Sequence, residues 1–350
     1  MKKIPVAILG ATGTVGQRFV QLLVEHPWFE IAVVTGSDRS VGQRYGASVN
    51  WKLLGDPPDA VANLIVQPTA PNLDVPLVLS ALPTDEAREM EPLFAAAGYA
   101  VVSNASAYRM APDVPLLIPE VNPDHTRLIP IQQAQRGWKG FITCSPNCST
   151  TSAILPLKIW QDAFGLGAVH LVTLQAISGA GYPGVASLDI LDNVIPYISG
   201  EDAKLENEPK RLLGRMGDGG LESAEISVSA QANRVPVFDG HLASVSAKLS
   251  HTVTAAEGIA ALKAWRPPAI CADLPSSPRQ ALIYRDEPDR PQPRLDRDTG
   301  QGLVWTVGKV RECPVLTLRY VALTHNTLRG AASGALLNAE LLVAQGYVKG

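Results

Sequence analysis

The sequence predicts an α/β plus α+β chain: a parallel sheet wound by helices, then a second unit built on a mixed sheet. Three observations carry this. Residues 4–35 read as strand, glycine-rich turn, helix, strand, the repeating unit of a Rossmann-type dinucleotide fold. Short apolar runs ending in small polar residues continue that rhythm to about residue 147. Beyond it, alternating strands are separated by long connections without a second glycine motif. A chain of 350 residues is long enough for two cores. The expected division is 1–147 with 326–350 as the nucleotide-binding domain, and 148–325 as the substrate and dimerisation domain.

Ile4 to Leu9 is a buried strand, followed by Gly10-Ala11-Thr12-Gly13-Thr14-Val15-Gly16. An amphipathic helix with Phe19, Val20, Leu22 and Leu23 then runs towards His26-Pro27, and a second strand covers Glu30 to Thr35. The glycines permit a tight turn and a close backbone approach to a pyrophosphate seated on the helix N-terminus. Gly10, Thr12, Gly13, Thr14, Val15 and Gly16 are therefore cofactor-binding candidates. An acidic residue for the ribose 2′-OH is usual at the end of the second strand. Here the chain reads Ser37-Asp38-Arg39-Ser40. Ser37, Arg39 and Ser40 suit a 2′-phosphate, arginine offering a fork of donors. The cofactor expected is NADP, with Asp38 leaving NAD open.

Residues 43–72 are rich in turn signals. Val75 to Leu82 is a strand ending in Ser80-Ala81-Leu82-Pro83, a helix covers Asp85 to Gly98, and Ala100 to Ser103 is the next strand. Open parallel sheets bind ligands beyond the carboxyl ends of their strands. Ser80, Ala81, Leu82, Asn104 and Arg109 thus fall at the crevice of the glycine loop. A strand over Gly140 to Thr143 leads to Ser145-Pro146-Asn147-Cys148-Ser149-Thr150 and a helix to Phe164. A free cysteine is most often a core residue. At a strand-to-helix junction, unpaired N–H groups and the helix dipole stabilise a thiolate, and the same groups can hold an oxyanion.

His170 to Ala176 alternates as a half-exposed strand and opens a glycine-rich loop through Gly184. The charged stretch 200–219 reads as a solvated helix start. Strands are expected at Ile226 to Val235, Leu242 to Thr252, Leu303 to Lys309 and Thr317 to Thr324, with only turns over 273–302. Asn326 to Gly334 opens a C-terminal helix whose small residues allow it to pack back on the first domain.

Bulk properties narrow the field. Net charge is −3 and no basic patch stands out, which excludes a nucleic-acid binder. The four cysteines, 144, 148, 271 and 313, form no disulfide framework; Cys144 and Cys148 could be half of a metal site, but no Cys/His pair elsewhere supplies the other half at usual spacing. No metal is expected. The N-terminus enters a strand directly, with no signal or spanning segment, so a cytoplasmic location is expected. A nucleotide fold with one poised cysteine points to oxidoreduction through a thioester. That chemistry needs a proton shuttle. His241 is the candidate, in a turn between strands with Gly240 before it and Arg234 seven residues back. His170 in its apolar strand reads as structural, and His26, His125 and His251 have no supporting neighbours.

Seven stretches, in order, resemble the aspartate-β-semialdehyde dehydrogenase family, its archaeal and fungal-like branch in particular. They are the glycine loop 10–16, Ser80-Ala-Leu-Pro83, Ser106-Ala-Tyr-Arg109, Pro146-Asn-Cys-Ser-Thr150, Gln175-Ala-Ile-Ser-Gly179, Asn233-Arg-Val-Pro236 with Gly240-His241, and Asn326-Thr-Leu-Arg-Gly-Ala-Ala332. The resemblance implies NADPH-dependent reductive dephosphorylation of β-aspartyl phosphate to aspartate semialdehyde, a step towards lysine, threonine and methionine, by a homodimer or homotetramer. It implies Cys148 as nucleophile, His241 as general acid/base, and Gln175 positioning the acyl group or the histidine. It places Arg234 on the substrate α-carboxylate, Glu208 on its α-amino group, and Arg109 and Asn147 near the phosphate. In the family's Glu-x-x-Lys pattern, Arg211 stands for the lysine with Lys210 beside it. Gly179 and Asn326 join the cofactor wall. A malonyl-CoA reductase of the same fold is the nearest alternative, ahead of N-acetylglutamyl-phosphate reductase and a non-catalytic nucleotide sensor.

Overall fold

Five strands make the first sheet, and the four inside its exposed edge strand, which carries Glu30, are buried on both faces, which is why they read as continuous apolar runs rather than alternating ones. The computed structural model describes residues 2–349. The first unit runs β1 (Ile4–Leu9), α1 (Thr14–Leu23), β2 (Phe29–Val34), single helical turns α2 (Tyr45–Ser48) and α3 (Asp59–Ala62), β3 (Leu77–Ser80), α4 (Thr84–Ala97), β4 (Ala100–Ser103), α5 (Leu128–Arg136) and β5 (Phe141–Cys144). Strand order is β2-β1-β3-β4-β5, all parallel. Gly10 has φ +71°, the left-handed region that favours glycine. A Cβ at Gly16 would meet the Gly10 carbonyl oxygen at 2.3 Å, so α1 packs on the loop only as glycine.

The second unit begins with α6 (Cys148–Phe164) and β6 (Leu166–Gln175). It continues through α7 (Ser187–Ile190), α8 (Glu201–Leu212), the small hairpin β7 (Arg215–Gly217) and β8 (Gly220–Glu222), β9 (Ser227–Arg234), β10 (His241–Leu249) and α9 (Ala255–Ala264). β11 (Leu282–Arg285), α10 (Pro293–Asp296), β12 (Trp305–Glu312) and β13 (Leu318–Thr324) complete it. The sheet order is β11-β12-β13-β10-β6-β9. Two pairs are parallel, β11 with β12 and β6 with β9, and the rest antiparallel, so the sheet is mixed as expected.

One face of this sheet is buried under α6, where Trp160 meets Tyr320 edge-on at 5.1 Å. The other turns His170, Leu174 and Ser244 outward. The chain then crosses back through a π-helical turn, Leu328–Ala332, into α11 (Ser333–Ala344). α11 is buried nearly all round: Ala335, Leu336, Ala339 and Leu342 share a core with Ile8, Val20 and Val102 of the first unit.

The sequence reading leaves residues 273–302 as turns, yet β11 forms there on the edge of the second sheet. Its apolar run, Ala281-Leu-Ile-Tyr, is only four residues long before charged residues resume, at the lower limit of a strand signal. Among the described residues no helix is long and apolar enough to cross a membrane.

Candidate active site

The two sheets point their functional ends at one crevice of about 420 Å³, lined by Thr14, Arg109, Cys148, Glu201, Lys204 and Gly330 among others. Cys148 is the first residue of α6, directly after the β5 strand tip. Asn147 caps the helix: its side-chain oxygen accepts the N–H groups of Ser149 at 2.8 Å and Thr150 at 3.4 Å. The cap occupies the N–H groups of Ser149 and Thr150 and leaves that of Cys148 as the helix-start donor for an oxyanion. The Asn147 amide nitrogen donates to Glu201, and its backbone N–H donates to Glu208 Oε2 at 2.7 Å.

The thiolate expectation meets an opposing environment: burial first, then Glu201, pushes the Cys148 thiol up to about 11, against the pull of Arg109 and Arg234. Cys148 is half-buried and lines the crevice. Cys144, fully buried at the end of β5, is pushed higher still and is a core residue.

His241, Arg234 and Gln175 stand one layer behind the lining. His241 opens β10 and is fully buried. Its Nδ1 accepts the Ala176 N–H at 3.1 Å, so the neutral ring carries its proton on Nε2. Burial first, then Arg234, drives its pKa down to about 3, so the ring is neutral at physiological pH. A Cβ on Gly179 would lie 2.9 Å from both His241 Nε2 and Arg234 Nη1; only glycine lets that loop lie over the pair. Arg234 donates to the Ala176 carbonyl at 2.7 Å. Gln175 donates to Thr173 Oγ1 and to Glu201 Oε2, both at 3.2 Å.

Two expectations on α8 are corrected. Arg211 turns away from the crevice and is buried, donating to the Val114 carbonyl at 2.9 Å. Glu208 is buried too, with both oxygens engaged: Oε1 takes Arg109 Nη1 at 3.1 Å and Oε2 takes the Asn147 N–H. The pair that does line the crevice, Glu201 and Lys204, was not expected; the two are joined at 2.7 Å. Glu201-Asp202-Ala203-Lys204 is itself a Glu-x-x-Lys sequence, and that is the signal that could have found it. Glu201 and Glu208 are seven residues apart, two helical turns, so both face Asn147. Only the copy in the first turn of α8 reaches solvent.

The cofactor candidates divide likewise. Thr14, Val15, Leu82, Asn104, Gly179 and Asn326 line the crevice. Gly10, Thr12, Gly13 and Gly16 form the turn that starts α1, whose Gly13 cap brings no side chain to its first N–H groups. Asn104 Nδ2 is buried without a partner at its strand end, while Ser80 Oγ, outside hydrogen-bond geometry, turns towards Glu91. Ala81 closes on the loop, its N–H bonding the Leu9 carbonyl at 2.9 Å. Ser37 and Arg39 are exposed beyond β2, whereas Ser40 is buried and its hydroxyl donates to the Ser37 carbonyl at 2.9 Å. That corrects Ser40 from phosphate ligand to turn former. A free helix start, an unpartnered amide donor, and an exposed arginine fit a dinucleotide carrying a 2′-phosphate. Asn326 ties the walls together, accepting the Gly240 N–H and donating to Ser178 Oγ, each at 2.8 Å.

Residues 5–129 match the family model for the NAD-binding domain of semialdehyde dehydrogenase, and residues 157–329 match that for its dimerisation domain. The aspartate-semialdehyde dehydrogenase of Archaeoglobus fulgidus is 51% identical over 339 residues, 97% of each chain. That of Cryptococcus neoformans is 45% identical over 360 residues, 99% of each. Among solved structures, the Candida albicans aspartate semialdehyde dehydrogenase with NADP superposes with a TM-score of 0.91 at 41% identity, covering 99% of this chain and 100% of that one.

Proposed function

The chain belongs to the semialdehyde dehydrogenase family, and from that premise we propose that it reduces β-aspartyl phosphate to aspartate semialdehyde with NADPH, releasing phosphate. The observation that carries the reading is the shared crevice. The glycine loop of one domain, Cys148 at the start of α6, and the charged trio Arg109, Glu201 and Lys204 meet there.

The α1 N-terminus and its glycine loop hold the dinucleotide pyrophosphate, and Ser37 with Arg39 holds the 2′-phosphate. When bound, NADPH supplies the hydride that the acyl carbon accepts. Cys148 Sγ attacks that carbon and becomes the thioester as the bond to the phosphate oxygen breaks, the thiol proton leaving with the phosphate. Arg109 and Lys204 draw the acyl phosphate into the crevice and stabilise the charge as it departs. Glu201 is the partner for the substrate ammonium, and Arg234 for its carboxylate. An incoming ammonium at Glu201 competes with Lys204, freeing that lysine for phosphate. His241 presents Nε2–H as a hydrogen-bond donor that steadies the negative oxygen on the reacting carbon, which reforms its carbonyl when the sulfur is expelled. Gln175, held by Glu201 and Thr173, fixes the floor beneath them.

The chain acts in the cytoplasm and self-associates through the second domain. There Leu188, Leu191 and Tyr197 are 94%, 64% and 66% exposed, an apolar face suited to a second copy. Sedimentation at increasing concentration checks this.

The test of the reaction runs it backwards: NADP, aspartate semialdehyde and inorganic phosphate, followed by NADPH absorbance. The expected outcome is a phosphate-dependent rise in the native enzyme and none in Cys148→Ala, with NADPH binding kept by the variant. Steady turnover by Cys148→Ala would remove the nucleophile assignment.

A further inference from the structure

Glu91 lies on the inner face of α4 and is fully buried. Each of the other buried carboxyl groups among the described residues has a basic partner within 4.0 Å: Asp113, Glu120, Glu201, Glu208, Asp239, Asp296 and Glu340. Glu91 has none. Its Oε1 accepts the Ser103 hydroxyl at 2.6 Å, and its Oε2 is buried without a partner. Ser103 also accepts the Ala105 N–H at 3.1 Å, so the bond fixes the start of the loop that carries Asn104 and Arg109 into the crevice.

Arg109 is joined to this corner through the Asn104 carbonyl, next to the Ser103 that holds Glu91, and it is the positive charge that acts on the carboxyl; Tyr108 and Cys144 are the other titratable groups coupled to it. Arg109 already spends one nitrogen on Glu208 and another on the Asn104 carbonyl, while its Nε is buried and unpartnered. The hydroxyl of Ser80 completes the ring around Glu91. Burial raises the Glu91 carboxyl to about 7, opposed by Ser103, Ser80 and Arg109. Tyr108 and Cys144 are both raised from their ordinary values and stay neutral in that range.

We propose that Glu91 is a positioning residue for anion binding: it braces the β4 tip behind Arg109, and its ionisation weakens the hold of Arg109 on the substrate phosphate. The sign follows from charge. Protonated, Glu91 leaves Arg109 facing one carboxylate, Glu208, and free to attract an anion. Ionised, it adds a second negative charge in a region of low dielectric. By linkage the effect is reciprocal: phosphate on Arg109 raises the Glu91 pKa as much as ionised Glu91 weakens phosphate. This rests on the proposed reaction, because it takes Arg109 to be a phosphate-binding residue.

The experiment measures the KM for inorganic phosphate in the NADP-reducing direction, for native enzyme and Glu91→Gln, at about pH 6 and about pH 8.5. The ionisation of phosphate itself cancels in the ratio of the two enzymes. The native-to-variant ratio of KM should be close to one at the lower pH and several-fold above one at the higher, with kcat changing less. An equal ratio at both pH values, in a variant with native melting temperature, overturns the proposal.

Should Glu91→Gln not fold, Ser103→Ala serves. Losing the hydroxyl donor raises the Glu91 pKa, so the break in the phosphate KM and the loss of the buried carboxylic-acid C=O infrared band must move together to higher pH. A band that moves while the KM break stays overturns the proposal. Native enzyme without phosphate-dependent turnover strikes the reaction instead, and the infrared band then judges Glu91 alone: its absence at the lower pH overturns the assignment.

Discussion

Lys204 and Arg211 sit on the same helix, yet only one of them meets the crevice. Lys204→Ala should raise the KM for phosphate by roughly tenfold, the scale of one charge-assisted contact, with the melting temperature unchanged. Arg211→Ala should leave that KM alone and destabilise the fold by about 2 kcal/mol, through the lost bond to Val114 and the space left behind. Equal effects of the two on phosphate would reverse the assignment. The sequence shows why this pair was hard to order. Glu201-x-x-Lys204 is echoed two turns later by Glu208-x-x-Arg211, and helical periodicity puts both copies on one face. Which copy stays wet depends on Asn104, Asn147 and Arg109, which come from another part of the chain. The upward push on the Cys148 thiol was illegible for the same reason. A cysteine opening a helix promises a low pKa; the enclosure and Glu201 that raise it are tertiary facts.

The π-helical turn Leu328–Ala332 presses Gly330 against the start of α6. A Cβ there would lie 2.8 Å from Cys148 Cβ and 3.1 Å from its Cα, with no flexible atom to give way. The turn is itself pinned, because Arg329 is buried against Glu120 and lies over the Trp305 ring at 4.0 Å. Gly330→Ala should lower kcat at least about tenfold by displacing the sulfur, while NADPH affinity changes little. Native kcat in that variant would show that the contact is slack. Elements of this kind divide by legibility. β1, α1 and β4 were readable because a turn or a capping residue marks their ends. α5, α9 and β11 were not. α9 runs Ala255-Ala-Glu-Gly-Ile-Ala-Ala with little contrast between faces, and β11 is held in place by its parallel pairing with β12.

For the whole molecule, the C-terminal helix is the first sheet's missing cover. Deleting residues 333–350 removes Ala335, Leu336, Ala339 and Leu342 from a core shared with β1, α1 and β4. Leaving those strands bare should abolish NADPH binding and cooperative unfolding of the first domain, as scanning calorimetry would register. A truncated chain that still melts sharply and binds NADPH would mean the helix is only an appendage. The chain therefore passes between its two sheets twice, once before Cys148 and once after Thr324. Two passages make a pivot with two pins, and any opening of one half against the other turns about the line joining them. Cys148 sits on one pin, and Gly330, on the return passage, touches it. The sulfur is thus close to the axis, where a given swing produces the least travel.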